Sequence, residues 1–143
     1  MTKLRAVICD LDGTLAHNDG KRSFYDEIKC YGDSVDSTVS YVMSLLAKDG
    51  LEILFVSGRK EKSRDETVRW LSDKAPFGIN KGFGLFMRKD SDNRKDCIVK
   101  EEIYRNEIEP NFNVVLVMDD RDSVVSMWRG LGLKCFQVAP GDF

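Results

Sequence analysis

Apolar residues along this chain come in short runs, and the stretches between the runs have helical spacing. Residues 5–9, 51–57, 84–87, 114–118 and 133–138 are the runs, and they predict five short buried strands. Between the first two, Val39, Val42, Met43 and Leu46 recur at i, i+3, i+4 and i+7. That period predicts an amphipathic helix over 36–49, stopped by Gly50. Ser63-Arg64-Asp65-Glu66 has the form of a capping box, with Trp70 and Leu71 as the apolar face of the helix it would open. A third helix is predicted over 96–107, ahead of Pro110, and a fourth over 122–129, ending near Gly130 and Gly132. Alternating strands and helices predict an α/β fold: a doubly wound, mostly parallel five-stranded sheet covered on both faces, three layers in all. Residues 16–35 are the one long irregular connection, and such loops tend to carry function.

Composition narrows this without redirecting it. The chain has 143 residues, 42% apolar and 32% charged, with only 3 Pro, which suits a single globular domain over 1–143. The longest strictly apolar run, Val114 to Met118, is far short of the roughly 20 residues that span a bilayer. A net charge of −2 provides no general basic field, so any nucleic-acid contact must be local. Cys9, Cys30, Cys97 and Cys135 form no C-x-x-C pair, which points to reduced thiols and a cytoplasmic setting. His17 is the only histidine, which excludes multi-histidine metal centres.

The chemistry gathers where the strands end. Asp10-Leu11-Asp12-Gly13-Thr14 follows the first strand, and in an extended chain Asp10 and Asp12 share a side. Asp119-Asp120 ends the fourth strand. If those strands are neighbours, four carboxylates converge, and a hard cation such as Mg²⁺ relieves their repulsion. Either pair alone is ordinary turn and capping chemistry. The second strand adds Ser57-Gly58-Arg59: a hydroxyl, a backbone open to close approach, and a guanidinium suited to phosphate. Lys100, near the start of the third helix, adds a point charge toward the same end.

This order of residues resembles the haloacid dehalogenase-like phosphatases, whose series is D-x-D-G-T, a strand-end Ser, a Lys and a D-D pair. Further stretches (VICDLDGTLA, VSGR, MDDR and the segment from Met127 to Phe143) resemble the 3′-phosphatase half of phage polynucleotide kinase/phosphatases over nearly the whole chain. The resemblance implies a haloacid dehalogenase-like fold. It implies Asp10 as nucleophile and Asp12 as general acid and then base, its pKa raised by like-charged neighbours. It implies Mg²⁺ held by Asp10, the Asp12 carbonyl and Asp120, with Asp119 beside it. Ser57, Gly58 and Lys100 would hold phosphoryl oxygens, Thr14 and Arg59 would meet the substrate, and Arg88 and Asp96 would lie in or beside the site. No G-x-x-x-x-G-K-[ST] occurs, so this sequence lacks the kinase motif; a stand-alone phosphatase and an excised domain both fit.

The segment after Thr14 has the length of a flap, and nothing between Met87 and Lys100 is long enough to fold as a cap domain. An open site suits a substrate whose own bulk covers it, so the expected partner is a nucleic-acid 3′ end. Arg88, at the end of the third strand, is expected to reach the adjoining backbone phosphate. Tyr25 could stack on a terminal base, though an aromatic in a loop more often simply anchors it. A homodimer, and a kinase domain or ligase acting alongside, are the protein partners the resemblance raises. The main alternative is a capless phosphatase acting on phosphoproteins or small phosphomonoesters. A receiver-like signalling module is the remote one: it needs its acceptor Asp after the third strand, where this chain has Phe86-Met87-Arg88.

Overall fold

The computed structural model describes residues 2–75, 77 and 84–143. Five strands form one sheet: β1 (Leu4–Cys9), β4 (Glu52–Lys60), β5 (Gly84–Arg88), β6 (Phe112–Asp119) and β7 (Cys135–Gln137). The order across it is β5-β4-β1-β6-β7, and every neighbouring pair is parallel. Two-residue strands β2 (Ala16–His17) and β3 (Ser34–Val35) pair antiparallel apart from the main sheet.

Strand periodicity builds the two faces. Val7, Cys9, Ile53, Phe55 and Met118 pack with Met43, Trp70 and Leu71, from helices α1 (Ser37–Lys48) and α2 (Arg64–Lys74). Their neighbours Ala6, Ile8, Leu54, Val56 and Val117 pack with Val99, Val124 and Trp128, from α3 (Asp96–Ile103) and α4 (Asp122–Gly130). Trp70 and Trp128 are both fully buried, one in each layer. Burying an aromatic side chain of this kind contributes about 1.5–3 kcal/mol relative to exposure. Residues 89–95 join β5 directly to α3, and no cap domain is present among the described residues.

Differences from the sequence reading have local causes. β4 runs on to Lys60, because Lys60 pairs with Arg88 beyond a register shift after Val56. The capping box at Ser63 does not form. A 3₁₀ turn over Glu61–Ser63 precedes α2, and the Ser63 hydroxyl donates to the Lys60 carbonyl at 2.9 Å instead of bonding an amide of the helix. α3 ends at Ile103 and continues as a π-helical turn over Tyr104–Ile108. Residues 16–35 are an ordered flap in which β2 and β3 bracket a 3₁₀ helix over Glu27–Gly32. Asp36 ties the flap's root to α1, bonding His17 Nε2 at 2.9 Å while accepting from the Val39 amide.

Candidate active site

The first and fourth predicted strands are indeed neighbours, so β1 and β6 deliver Asp10, Asp119 and Asp120 to one place. One carboxylate oxygen from each lies within 4.8 Å of the others, and all three residues are buried. Gly13, at φ 85°, lets the backbone press against Asp120; a Cβ there would lie 2.1 Å from Asp120 Oδ2. α3 supplies Lys100, whose Nζ donates to Asp10 Oδ1 at 2.9 Å and to Asp119 Oδ2 at 3.0 Å. The Thr14 hydroxyl donates to Asp10 Oδ2 at 3.1 Å.

The electrostatics follow from burial and count. Burial opposes a charge on Lys100, but Asp10 and Asp119 outweigh it and hold the ammonium well above its ordinary pKa. Burial and then the Asp119 carboxylate push Asp10 well above the ordinary carboxyl value, against the pull of Lys100. Burial raises Asp120 as well. One ammonium faces three carboxylates, and that surplus of negative charge on hard oxygens suits a divalent cation. Asp119 is the least free of the three. Its Oδ1 accepts from the Asp120 amide at 2.8 Å, and its Oδ2 accepts from Trp128 Nε1 at 3.2 Å as well as from Lys100.

Asp12 belongs to a second cluster. Arg59 grips its carboxylate with Nε at 3.0 Å and Nη2 at 2.8 Å, and Arg22 Nη2 bonds it at 3.0 Å. Both guanidiniums also reach Asp33, Arg22 at 2.8 Å and Arg59 at 3.1 Å. Burial would raise the Asp12 carboxyl, but the two arginines outweigh it and hold it below its ordinary value. The expected upward shift from like-charged neighbours is therefore corrected: in this structure Asp12 faces cations, not the other carboxylates. Arg22, from the flap, is a residue the sequence reading did not single out.

Other predicted site residues are also held by partners within the protein. Arg59 is 2% exposed and lines the cavity above Asp10, and its side chain bonds Asp12, Asp33 and the Thr67 hydroxyl. Arg88 lines the same cavity. Its guanidinium is turned inward onto the carbonyls of Gly58, Asp92 and Arg94 and onto the Asp96 carboxylate. Thr14 is fully buried and bonds Asp10, so it orients that carboxylate. Ser57 is also fully buried, its Oγ accepting from the Arg59 amide at 3.1 Å.

Above Asp10 opens a cavity of about 750 Å³. Asp10, Lys100 and Asp120 line it, with Gly58 and Asp96 from the neighbouring elements. Asp96 also binds Arg121 at 3.2 Å. A buried carboxylate, fixed by an ammonium and a hydroxyl at an open cavity, can attack an electrophile that brings its own negative oxygens.

Residues 4–143 match the family model of the polynucleotide kinase PNKP phosphatase domain. A protein of Autographa californica nuclear polyhedrosis virus, named as a bifunctional polynucleotide kinase/RNA ligase, is 39% identical over 130 residues, which is 89% of this chain and 18% of the viral protein. A chain in the structure of the Pnkp1/Rnl/Hen1 RNA repair complex superposes with a TM-score of 0.90 at 38% identity, covering 99% of this chain and 44% of that one. The class C acid phosphatase of Bacillus anthracis, solved with tungstate bound, shares the fold at a TM-score of 0.70 and 16% identity, covering 99% of this chain and 68% of that one. This chain thus spans less than half the length of the first two relatives.

Proposed function

This chain belongs to the family of polynucleotide kinase phosphatase domains, and from that premise we propose that it removes the 3′-phosphate from polynucleotide ends, with Mg²⁺, through an aspartyl-phosphate. The observation that carries the reading is Asp10: a buried carboxylate facing an open cavity, with Lys100 at 2.9 Å and Thr14 at 3.1 Å. In the first half-reaction Asp10 attacks phosphorus, the bond to the 3′-oxygen breaks, and Asp12 gives that oxygen its proton. In the second, water attacks the aspartyl-phosphate, its proton passes to Asp12, and phosphate and free Asp10 result. The arginine grip that keeps Asp12 ionised suits the base role, and the acid role requires that grip to loosen. Lys100 has a third N–H beyond those given to Asp10 and Asp119, and we assign it to a phosphoryl oxygen together with Ser57 and Gly58.

Asp10, the Asp12 carbonyl and Asp120 would hold the Mg²⁺, with Asp119 fixing Asp120 and Lys100. The ion would neutralise charge on the transferring phosphoryl group. Arg88 and Asp96 we read as positioning residues that brace the end of β4 against α3. We read residues 1–143 as one phosphatase domain that works beside kinase or ligase activities, as the names of its relatives pair them. The free thiols Cys9, Cys30, Cys97 and Cys135 support a reducing compartment such as the cytoplasm, and no helix among the described residues is long and apolar enough to cross a membrane.

The test is phosphate release from a 3′-phosphorylated oligonucleotide, against 5′-phosphorylated and phosphopeptide controls, with and without chelator. A preference for the 3′-phosphate that requires a divalent cation is expected. Faster turnover of the phosphopeptide would move the phosphoprotein alternative ahead.

A further inference from the structure

The proposed chemistry occupies only the floor of the cavity. Its mouth has a different character. Among the described residues, Phe24, Tyr25 and Phe143 are 57%, 90% and 62% exposed, and all three line this cavity. Two separate segments supply them. Phe24 and Tyr25 sit on the flap, where the Ser23 hydroxyl and carbonyl accept from the amides of Tyr25 and Asp26 and shape a turn. Phe143 is carried by the segment after β7, and that segment is pinned to the metal-site strand end. Gly141 packs so tightly that a Cβ there would lie 1.7 Å from the Asp120 carbonyl oxygen, and its own carbonyl accepts from the Asp122 amide at 2.9 Å. The Arg121 guanidinium lies 4.7 Å from the centre of the Phe143 ring while bonding Asp96, so ring and site are joined through one side chain.

Exposed aromatic rings scattered singly need no explanation, but several lining one cavity that also holds charged side chains call for a flat apolar ligand group. The floor suits a phosphoryl group, and the cations Lys60 and Arg121 line the same cavity. A ligand with phosphate at one end and a flat ring beside it is a nucleotide, and rings stack on any base without reading its identity. Resting on the 3′-phosphatase reading above, we infer that Phe24, Tyr25 and Phe143 form a stacking site for the 3′-terminal nucleobase. A base held there is unpaired, so the substrate class is single-stranded or frayed 3′ ends of any sequence.

The experiment pairs a change in the protein with one in the substrate. Phe143→Ala and Tyr25→Ala are assayed on a 3′-phosphorylated single-stranded oligonucleotide and on the same oligonucleotide with an abasic 3′-terminal residue. Each variant is expected to lose about tenfold in kcat/KM on the natural end, in line with the stacking worth of one base. On the abasic end the unmodified protein loses a similar factor and the variants lose little more; Phe143→Trp recovers the natural-end rate. Binding to Asp10→Asn protein also quenches 2-aminopurine placed at the 3′ terminus. Equal losses on both ends, or no quenching, overturn the stacking site while leaving the 3′-phosphatase reading intact. Failure of the unmodified protein to release phosphate from the natural end, with turnover of a small aryl phosphate, overturns the reading itself.

Discussion

Two clusters of buried charge lie side by side at the carboxyl end of the sheet, and they are assembled differently. In one, Arg22 and Arg59 face Asp12 and Asp33, cations and anions in equal number, with bonds between 2.8 and 3.1 Å. In the other, Lys100 is the one cation among the described residues that bonds Asp10 and Asp119, with Asp120 beside them. The first satisfies itself, and it ties the flap to β4. The second leaves charge uncompensated, a state that costs folding free energy unless a ligand completes it. The contrast separates a brace, which balances without help, from the cluster proposed as the reacting centre.

The largest expected effect tests the unbalanced cluster. Asp10→Asn should lower kcat/KM for phosphate release by at least ~10⁴-fold, the scale of removing a nucleophile. It should leave the metal-free melting temperature equal or higher, because it deletes a repelled carboxylate. A lower melting temperature would place Asp10 among the braces. Next comes the balanced cluster. Arg59→Ala leaves Asp12 and Asp33 to Arg22 alone, two buried carboxylates on one cation, and should cost about 3–5 kcal/mol in urea unfolding, the range for breaking a buried pair. A cost under ~1 kcal/mol would mean that the pairing is not structural.

The third prediction uses metal. Mg²⁺ at a hundredfold excess over its Kd should stabilise the protein by about 2.7 kcal/mol, read as a shift in thermal unfolding. Asp120→Ala should abolish that shift and Asp33→Asn should keep it; the reverse pattern would exchange the roles of the two clusters. The smallest effect concerns acid. Arg59 and Arg22 depress Asp12 below its ordinary carboxyl value. Its contribution is thus fully present above the unfolded pKa near 3.9 and is lost as pH falls through the lower folded value. Asp12→Asn should therefore show a shallower loss of stability with acidification below about pH 4; an unchanged slope would remove Asp12 from the balanced cluster.

The sheet was legible because the inner strands β1, β4 and β6 are buried on both faces over Ala6–Cys9, Ile53–Val56 and Leu116–Met118 and read there as apolar runs. The unbalanced cluster was legible because β1 and β6 end in acidic pairs that their parallel pairing must bring together. The braces were not. Arg22 lies in a flap with no periodicity, and only the folded flap brings it to Asp12 and Asp33. Arg59 and Arg88 show as cations at strand ends, but the direction of a guanidinium depends on carbonyls and carboxylates distant in sequence, such as Asp12 for one and Asp96 for the other. Ser63 fails as a capping residue because the turn before it claims its hydroxyl.

Asp120 is confined from two directions, by Gly13 against its side chain and by Gly141 against its main chain, with Cβ clearances of 2.1 and 1.7 Å. Two positions far apart in the sequence are thereby bound into a single constraint on sequence drift. A methyl group at either one must displace the same aspartate, so neither position can diverge at the cost of its own neighbourhood alone. A compensating change elsewhere would have to reopen space around Asp120 without shifting its carboxylate from Asp10. Saturation mutagenesis should therefore find positions 13 and 141 closed even to alanine. Gly20, with nothing within 4 Å of a built Cβ, lacks that steric barrier and answers only for its backbone angle.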